Sequence, residues 1–218
     1  MRIDIWSDIA CPWCYVGLTR FERVLADFEQ ADEVDVRLHA FQLDPGLPKS
    51  FNGTEAEYLA QSKGIDPFRV QGMFDHVRAA AVTEGLTLDF DRVKVANSRR
   101  AHRLLQAAGQ AEETGRQARL LELALFRAHF TQGESIWEPE VLVAAATSVG
   151  MDATTALTAL DSAELDQAVV ADLRLAADYG IRGVPNFILD ARYQISGAQP
   201  EEVFASALRQ AWQEHARV

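Results

Sequence analysis

The sequence is poor in cysteine, with Cys11 and Cys14 as the two cysteines among 218 residues. Two thiols that are separated by two residues exclude a framework of several disulfides. They also argue against a structural zinc site, which needs four ligands. No second cysteine pair supplies the other two ligands, and no two of the five histidines have the spacing of a zinc-binding pair.

Long apolar runs and clustered positive charges are also missing. No run approaches the roughly 18 apolar residues that a membrane span requires. Lysine and arginine total 21 against 32 aspartate and glutamate residues, which gives a formal net charge of −11. This balance argues against a surface for nucleic acid or anionic membranes, because both need clustered cations. Met1 and Arg2 lead directly into an apolar strand without a signal-peptide pattern, so the sequence predicts a cytoplasmic protein.

The chain opens with a β-α-β pattern around the two cysteines. Ile3, Ile5 and Trp6 predict a strand over residues 2–6. Apolar residues at helical spacing then predict a helix from about Pro12 to Glu29. Alternating apolar residues from 34 to 43 predict a second strand, which ends at a turn at 44–46. Both cysteines therefore lie at the first turn of the first helix.

From about residue 54 to 179 the pattern is helical throughout. Thr54 and Glu57 have the spacing of a capping box, and Asp66-Pro67 is a typical helix start. Further helices are predicted to start near Asn97, Thr114, Pro139, Asp152 and Asp161, the last as a capping box with Glu164. Gly150 and Gly180 stand where C-terminal caps belong.

The last segment returns to strands. Residues 186–189 and 193–195 predict two strands around a turn, and Pro200 opens a final helix. The order β-α-β, helical block, β-β-α predicts an α/β protein with a thioredoxin fold and a large all-helical insertion. We expect a thioredoxin-like domain formed by residues 1–50 and 181–218, with residues 51–180 as the inserted helical domain.

Three features together resemble the DsbA family of thioredoxin-fold oxidoreductases, and the resemblance covers essentially the whole chain. They are the motif Cys11-Pro12-Trp13-Cys14-Tyr15, the helical insertion and the segment Gly183-Val184-Pro185. The segments Asn97-Ser98-x-x-Ala101-His102-Arg103 and Ser196-Gly197-Ala198-Gln199 are similar to the FrnE-like branch. That branch is related to 2-hydroxychromene-2-carboxylate isomerases and kappa-class glutathione transferases.

The position of the cysteines assigns them different roles in catalysis. Only a thiolate attacks a disulfide, and a helix N-terminus favours the thiolate of Cys11. Cys14 lies one turn further along, where we expect it to be more buried and to attack the mixed disulfide that Cys11 forms. Cys11 is thus predicted to be the nucleophile and Cys14 the resolving thiol. The alternative is a pair of buried thiols with a purely structural role.

The resemblance also implies three substrate-binding residues. Pro185 is expected to be a cis-proline beside the cysteines, the alternative being a trans-proline at the start of a strand. The backbone of Val184 would then pair with an extended substrate. Trp13 either meets the substrate or packs the start of the helix. Asn97 and His102 either border the site or serve as a helix cap and a surface histidine.

Three functions remain open at this point. The leading hypothesis is a thiol-disulfide oxidoreductase, with protein disulfide isomerase activity included, acting on proteins or small molecules that carry thiols or disulfides. Cys11 favours it, because relatives that isomerise with glutathione generally have serine at this position. The alternatives are a glutathione-dependent isomerase or transferase of aromatic or polyketide-like molecules, and a redox-sensing or chaperone-like binding module. We expect no metal and no cofactor, with glutathione left open as a co-substrate, and no nucleic-acid or membrane partner.

Overall fold

A four-stranded sheet organises the computed structural model, which describes residues 1–111 and 114–215. The strands are β1 (Arg2–Ser7), β2 (Asp35–Ala40), β3 (Asn186–Leu189) and β4 (Tyr193–Ser196). They lie in the order β2-β1-β3-β4, with β2 parallel to β1 and the other neighbours antiparallel. Ile5 of β1 lies opposite Leu38 of β2 and Phe187 of β3. The predicted β-α-β and β-β-α segments are therefore confirmed, and they join in one sheet.

Helices flank the sheet and form the block between β2 and β3. They are α1 (Pro12–Ala26), α2 (Glu55–Lys63), α3 (Pro67–Thr83), α4 (Arg99–Ala111), α5 (Arg116–Phe126), α6 (Pro139–Ser148), α7 (Ala153–Leu160), α8 (Ala163–Asp178) and α9 (Glu201–His215). A 3₁₀ turn at Ala31–Glu33 precedes β2, and a π-helical turn at Arg127–Thr131 continues α5. Within the described ranges, no helix is both long enough and apolar enough to span a bilayer.

The elements follow the predicted division of the chain. All four strands, α1 and α9 lie in the segments 1–50 and 181–218, and α2 to α8 lie in 51–180. Residues 216–218 are outside the described part. The division into two domains stays a prediction.

The helix ends show where local sequence signals succeed. The Thr54 hydroxyl accepts a hydrogen bond from Glu57 N at 3.2 Å, and Glu57 Oε2 accepts one from Thr54 N at 2.7 Å. This confirms the capping box at the start of α2. The capping box predicted at Asp161 is wrong, because α8 begins later, and its cap is Ser162, which accepts a hydrogen bond from Leu165 N.

Helix α1 is shorter than predicted, because it ends at Ala26 rather than near Glu29. Phe28 leaves the helix and meets the ring of Trp212 of α9 edge-on, with 5.9 Å between the ring centroids. Tertiary contact therefore decides this end of the helix.

The two faces of the sheet carry different cores. Ile3 and Ile5 belong to the larger cluster, in which the Phe187 ring contacts Phe21 of α1 and Phe204 of α9. On the other face, Trp6 packs with Ile188 and with Ala176 of α8. The alternation of side chains along β1 thus joins the sheet to α1 and α9 on one side and to the inserted block on the other.

A largely buried histidine, with its side chain 10% exposed, links the sheet to the inserted block. His39 of β2 lies between Asp4 of β1 and Asp172 of α8, with each ring nitrogen 2.7 Å from a carboxylate oxygen. Its ring stacks on Trp6 at a centroid distance of 4.4 Å. Burial disfavours the charged form, but the hydrogen bonds to Asp172 and Asp4 prevail and raise the pKa of His39 to about 9. His39 is therefore a cation at neutral pH.

This link makes the stability of the fold pH-dependent. A histidine whose pKa rises on folding stabilises the folded state fully below its unfolded pKa, and the effect is lost as pH rises through the folded pKa. The rise from 6.5 to about 9 corresponds to at most roughly 3 kcal/mol. We expect the free energy of unfolding, measured with urea, to fall by up to this amount between pH 6.5 and pH 9.5.

The variant His39→Gln should remove this pH dependence, whereas His215→Gln should retain it. His215 is exposed and pairs with Asp190 at the surface, so it is a matched control. An unchanged pH dependence in His39→Gln would show that the buried histidine is not the titrating group.

Candidate active site

Cys11 caps the N-terminus of α1, as the sequence predicts. Its backbone is extended, with φ −104° and ψ 110°, and Pro12 occupies the first turn of the helix. Cys11 N donates to Asp8 O at 2.9 Å, and Cys14 N donates to Cys11 O at 3.0 Å. No side chain caps this helix, and Cys11 stands at its N-terminus, where the helix dipole favours a negative charge.

The segment Val184-Pro185 lies against the same sulfur, although it is distant in sequence. The peptide bond between the two residues is cis, which confirms the prediction. The Cys11 thiol donates to Val184 O at a sulfur–oxygen distance of 3.6 Å. A Cβ atom on Gly17 would come within 2.8 Å of Pro185 Cγ, so the glycine lets α1 approach the proline closely. Cys11, Val184 and Pro185 are thus brought together.

The two thiols differ in their surroundings. Both cysteines are free, but Cys11 is 5% exposed whereas Cys14 is fully buried. Burial raises the pKa of the Cys14 thiol well above its ordinary value, and the neighbouring Cys11 raises it further. Cys14 is therefore protonated at neutral pH, and its side chain is not exposed to solvent.

A buried carboxylate lies beneath the motif. Asp8 is 1% exposed, and it accepts hydrogen bonds from Leu43 N at 2.7 Å, Ala10 N at 3.2 Å and His102 Nε2 at 3.3 Å. Burial alone would raise the pKa of the Asp8 carboxyl group. The contact with His102 and the hydrogen bond from Leu43 N outweigh this effect, so the pKa of Asp8 is lowered. Asp8 thereby fixes the loop that carries Cys11.

Three residues that the sequence left ambiguous now have clear positions. His102 is 2% exposed, so it is not a surface histidine, and it reaches the site through Asp8. Asn97 Oδ1 accepts from Arg99 N at 2.8 Å, and its amide donates to Leu47 O, so it ties the start of α4 to the loop after β2. Trp13 borders the cavity beside Cys11 and contacts His76 of α3 edge-on, and its contact with substrate stays a prediction.

Glu122 is a second buried acid near the thiols. It is 1% exposed, and burial raises its pKa to about 7. The Ser7 hydroxyl lies near both Glu122 and Cys14 and lowers the pKa of each group. Within the described residues, neither Glu122 Oε2 nor Ser7 Oγ has a hydrogen-bond partner of good geometry. Sequence reasoning missed Glu122, although it lies on the apolar face of α5 with Ala118 and Leu125, where a charged residue is unusual.

A cavity of about 270 Å³ opens beside Cys11. The helices α2 and α3 and the loops after β2 and α3 form its walls. Its apolar lining includes Leu43, Leu47, Tyr58, Leu59, Met73, Phe74, Val77, Phe90 and Val95, and its polar lining includes Asp8, Asp44, Glu55, Lys63, Ser98 and His129. Burial lowers the pKa of His129 to about 4, so this histidine is neutral. The predicted motif thus faces a largely apolar cavity.

Three further aromatic residues of the inserted block, Phe126, Phe130 and Trp137, do not line this cavity. Phe126 and Phe130 are fully buried and contact each other in the core, as expected for packing residues. Trp137 lies under the Arg100 guanidinium at 4.5 Å. Across residues 1–111 and 114–215, no group of three or more His, Cys, Asp or Glu side chains is arranged to hold a metal ion.

Comparison with known proteins agrees with this architecture. A family profile described as a DSBA-like thioredoxin domain matches residues 2–209. The crystal structure of a probable DsbA oxidoreductase from Streptomyces coelicolor is 40% identical, with a TM-score of 0.87 over 98% of this chain and 91% of that chain. These matches confirm the predicted thioredoxin fold with a helical insertion. They also confirm the resemblance to the DsbA family that the cysteine motif and the segment 183–185 indicate.

Two more distant structures show the same fold. Cytosolic disulfide reductase DsbM from Pseudomonas aeruginosa, solved with GSH, is 18% identical, with a TM-score of 0.67 over 98% of this chain and 100% of that chain. A 2-hydroxychromene-2-carboxylate isomerase is 14% identical, with a TM-score of 0.68 over 100% of this chain and 98% of that chain. At these identities the likeness concerns the fold alone.

Proposed function

Since this chain belongs to the family of DSBA-like thioredoxin domains, we propose that it catalyses thiol-disulfide exchange through Cys11 and Cys14. The observation that supports this proposal is that the two thiols differ in burial and in access to the cavity. Cys11 borders the cavity at a helix N-terminus, whereas Cys14 is fully buried one turn away and protonated. A nucleophile must reach its substrate, and a resolving thiol must wait for the mixed disulfide.

The reaction proceeds in two exchanges. The Cys11 thiolate attacks one sulfur of the substrate disulfide, the substrate S–S bond breaks, and the departing thiolate takes up a proton. Cys14 then loses its proton and attacks the Cys11 sulfur, which forms the Cys11–Cys14 disulfide and releases the second substrate thiol. Two electrons pass from the enzyme dithiol to the substrate, and the reverse sequence oxidises a substrate dithiol.

Trp13, Val184 and Pro185 are proposed to bind the substrate. Val184 O already accepts a hydrogen bond from the Cys11 thiol, so the Val184 backbone runs beside the reacting sulfur. An extended substrate that pairs with this backbone would present its own sulfur to Cys11. Trp13 borders the same cavity as Cys11, whereas Cys14 is fully buried.

A redox titration tests the proposal. Wild-type protein is equilibrated with dithiothreitol buffers of stepped potential, and its free thiols are then counted. We expect both thiols to disappear in a single two-electron transition. The ratio of reduced dithiol to oxidised disulfide protein should change tenfold for each step of about 30 mV in the buffer potential. The reduced protein should also turn over a model disulfide with dithiothreitol as the electron donor.

The alternatives give different results. Reversible oxidation without turnover would contradict the proposal and favour a redox-sensing module. Turnover that requires glutathione and persists without Cys14 would favour a glutathione-dependent isomerase or transferase. A cytoplasmic location stays a prediction, and the name of the cytosolic DsbM is consistent with it.

A further inference from the structure

We infer that the cavity beside Cys11 selects a small, uncharged, apolar group on the sulfur of the substrate, such as an aromatic ring, and disfavours anionic thiols such as glutathione. The inference rests on the proposed thiol-disulfide exchange and adds the class of substrate to it. In the resulting mixed disulfide, the Cys11 sulfur stays at the cavity wall and the apolar group fills the cavity.

The walls suit a compact apolar group. Tyr58 and Leu59 of α2 line the cavity together with Phe74 and Val77 of α3, and Phe90 stacks on Phe74 with 4.1 Å between ring centroids. An apolar cavity of about 150 Å³ is known to hold a benzene molecule. The volume of about 270 Å³ here therefore accommodates a substituted aromatic ring. Burying such a ring is favourable in proportion to the apolar area removed from water.

The charges around the cavity are predominantly negative. Asp8 and Asp44 both have a pKa below the ordinary value, Asp8 mainly through His102 and Asp44 mainly through Tyr58. Glu55 is a third acid in the lining, and burial raises its pKa to about 7. An anionic ligand would thus meet fixed carboxylates in a partly desolvated space, where like charges repel strongly.

The positive charge at the cavity is already paired. Among the described lining residues, Lys63 is the single cation, and its ammonium lies 3.7 Å from Asp44 Oδ2. The same Asp44 oxygen accepts a hydrogen bond from the Tyr58 hydroxyl at 2.6 Å. His129 is neutral because burial lowers its pKa to about 4. Glutathione has two carboxylates, and the lining offers neither of them a cation outside the pair with Asp44.

A pair of matched disulfides tests this selectivity. Diphenyl disulfides that carry para-carboxamide or para-carboxylate groups have nearly the same size and differ in charge. Their rates with the full-length wild-type protein are divided by their rates with free dithiothreitol, which removes differences in intrinsic reactivity. We expect a normalised preference of at least about tenfold for the uncharged carboxamide, which corresponds to a modest difference in binding.

Charge reversal at one lining residue should change this preference. Glu55→Lys is expected to bring the preference for the carboxamide close to unity or to invert it. Asp178→Lys makes the same change in net charge at the exposed end of α8, away from the cavity, and should leave the preference intact. Glu55→Gln serves as a milder second variant and should reduce the preference partially.

Each other outcome has a definite meaning. Equal normalised rates for the two disulfides, or faster reaction of the carboxylate with wild-type protein, would overturn the inference. So would a preference that neither Glu55 variant alters. Absence of reaction with both disulfides would instead defeat the proposed exchange itself.

Discussion

Replacement of Cys11 by serine is expected to lower the rate of disulfide reduction by at least about a thousandfold, because a hydroxyl at this position cannot replace the thiolate nucleophile. The remaining thiol does not compensate. Cys14 is fully buried, and burial, which is the largest cause of its raised pKa, persists in this variant. The measurement is the steady-state rate with a model disulfide and dithiothreitol, at several substrate concentrations.

Loss of activity in Cys11→Ser must be separated from loss of the fold. Serine is smaller than cysteine and can still donate to Val184 O, so we expect the melting temperature to change little. Asp178→Lys, at the exposed end of α8, is a control away from the motif, because it keeps both thiols and leaves the cavity lining unchanged. It should retain most of the activity. Full activity in Cys11→Ser would rule out Cys11 as the nucleophile.

Replacement of Cys14 by alanine is expected to leave the first exchange intact and, in the absence of any added thiol, to slow release of the second substrate thiol by at least about a hundredfold. Cys11 keeps its position at the helix N-terminus and beside Val184, so it should still attack the substrate. Without Cys14, the mixed disulfide cannot be resolved inside the protein. One substrate thiol per chain should therefore be released in a burst, and the other half of the substrate should remain attached.

The double variant Cys11→Ser, Cys14→Ala is the control for this experiment. It contains no thiol and should give neither burst nor adduct. Release of both substrate thiols by Cys14→Ala without any added thiol, or a burst that leaves no adduct on Cys11, would contradict the assigned order of the two thiols. In cells, the adducts that accumulate on Cys14→Ala would identify the natural substrates.

Much of the fold was predictable because its signals are local. The change from alternating to helical spacing after Ser7 places the cysteines at a strand-to-helix junction, and the structure has the helix cap at Cys11. The two C-terminal strands were likewise predicted within one residue of their observed ends. The position of Pro185 beside Cys11 came from the family resemblance, because no local pattern relates residues so far apart.

The buried polar groups were not predictable in this way. His102 reaches Asp8 only when α4 packs against the sheet. His39 meets Asp172 only because α8 packs against β2. Glu122 breaks the apolar face of its helix, which marks it as unusual but does not indicate its neighbours. Such contacts depend on tertiary geometry, which the spacing of residues along one element does not contain. The acidic lining of the cavity was missed for the same reason.

The identity of the sulfur that bonds to the substrate is the sharpest test of the proposed function. Wild-type protein is mixed with the carboxamide diphenyl disulfide, quenched with acid within one turnover, digested, and sequenced by tandem mass spectrometry. We expect the aromatic thiol on Cys11 at early times, followed by an internal Cys11–Cys14 disulfide. An adduct on Cys14, or turnover with no adduct on either cysteine at any time, would contradict the mechanism.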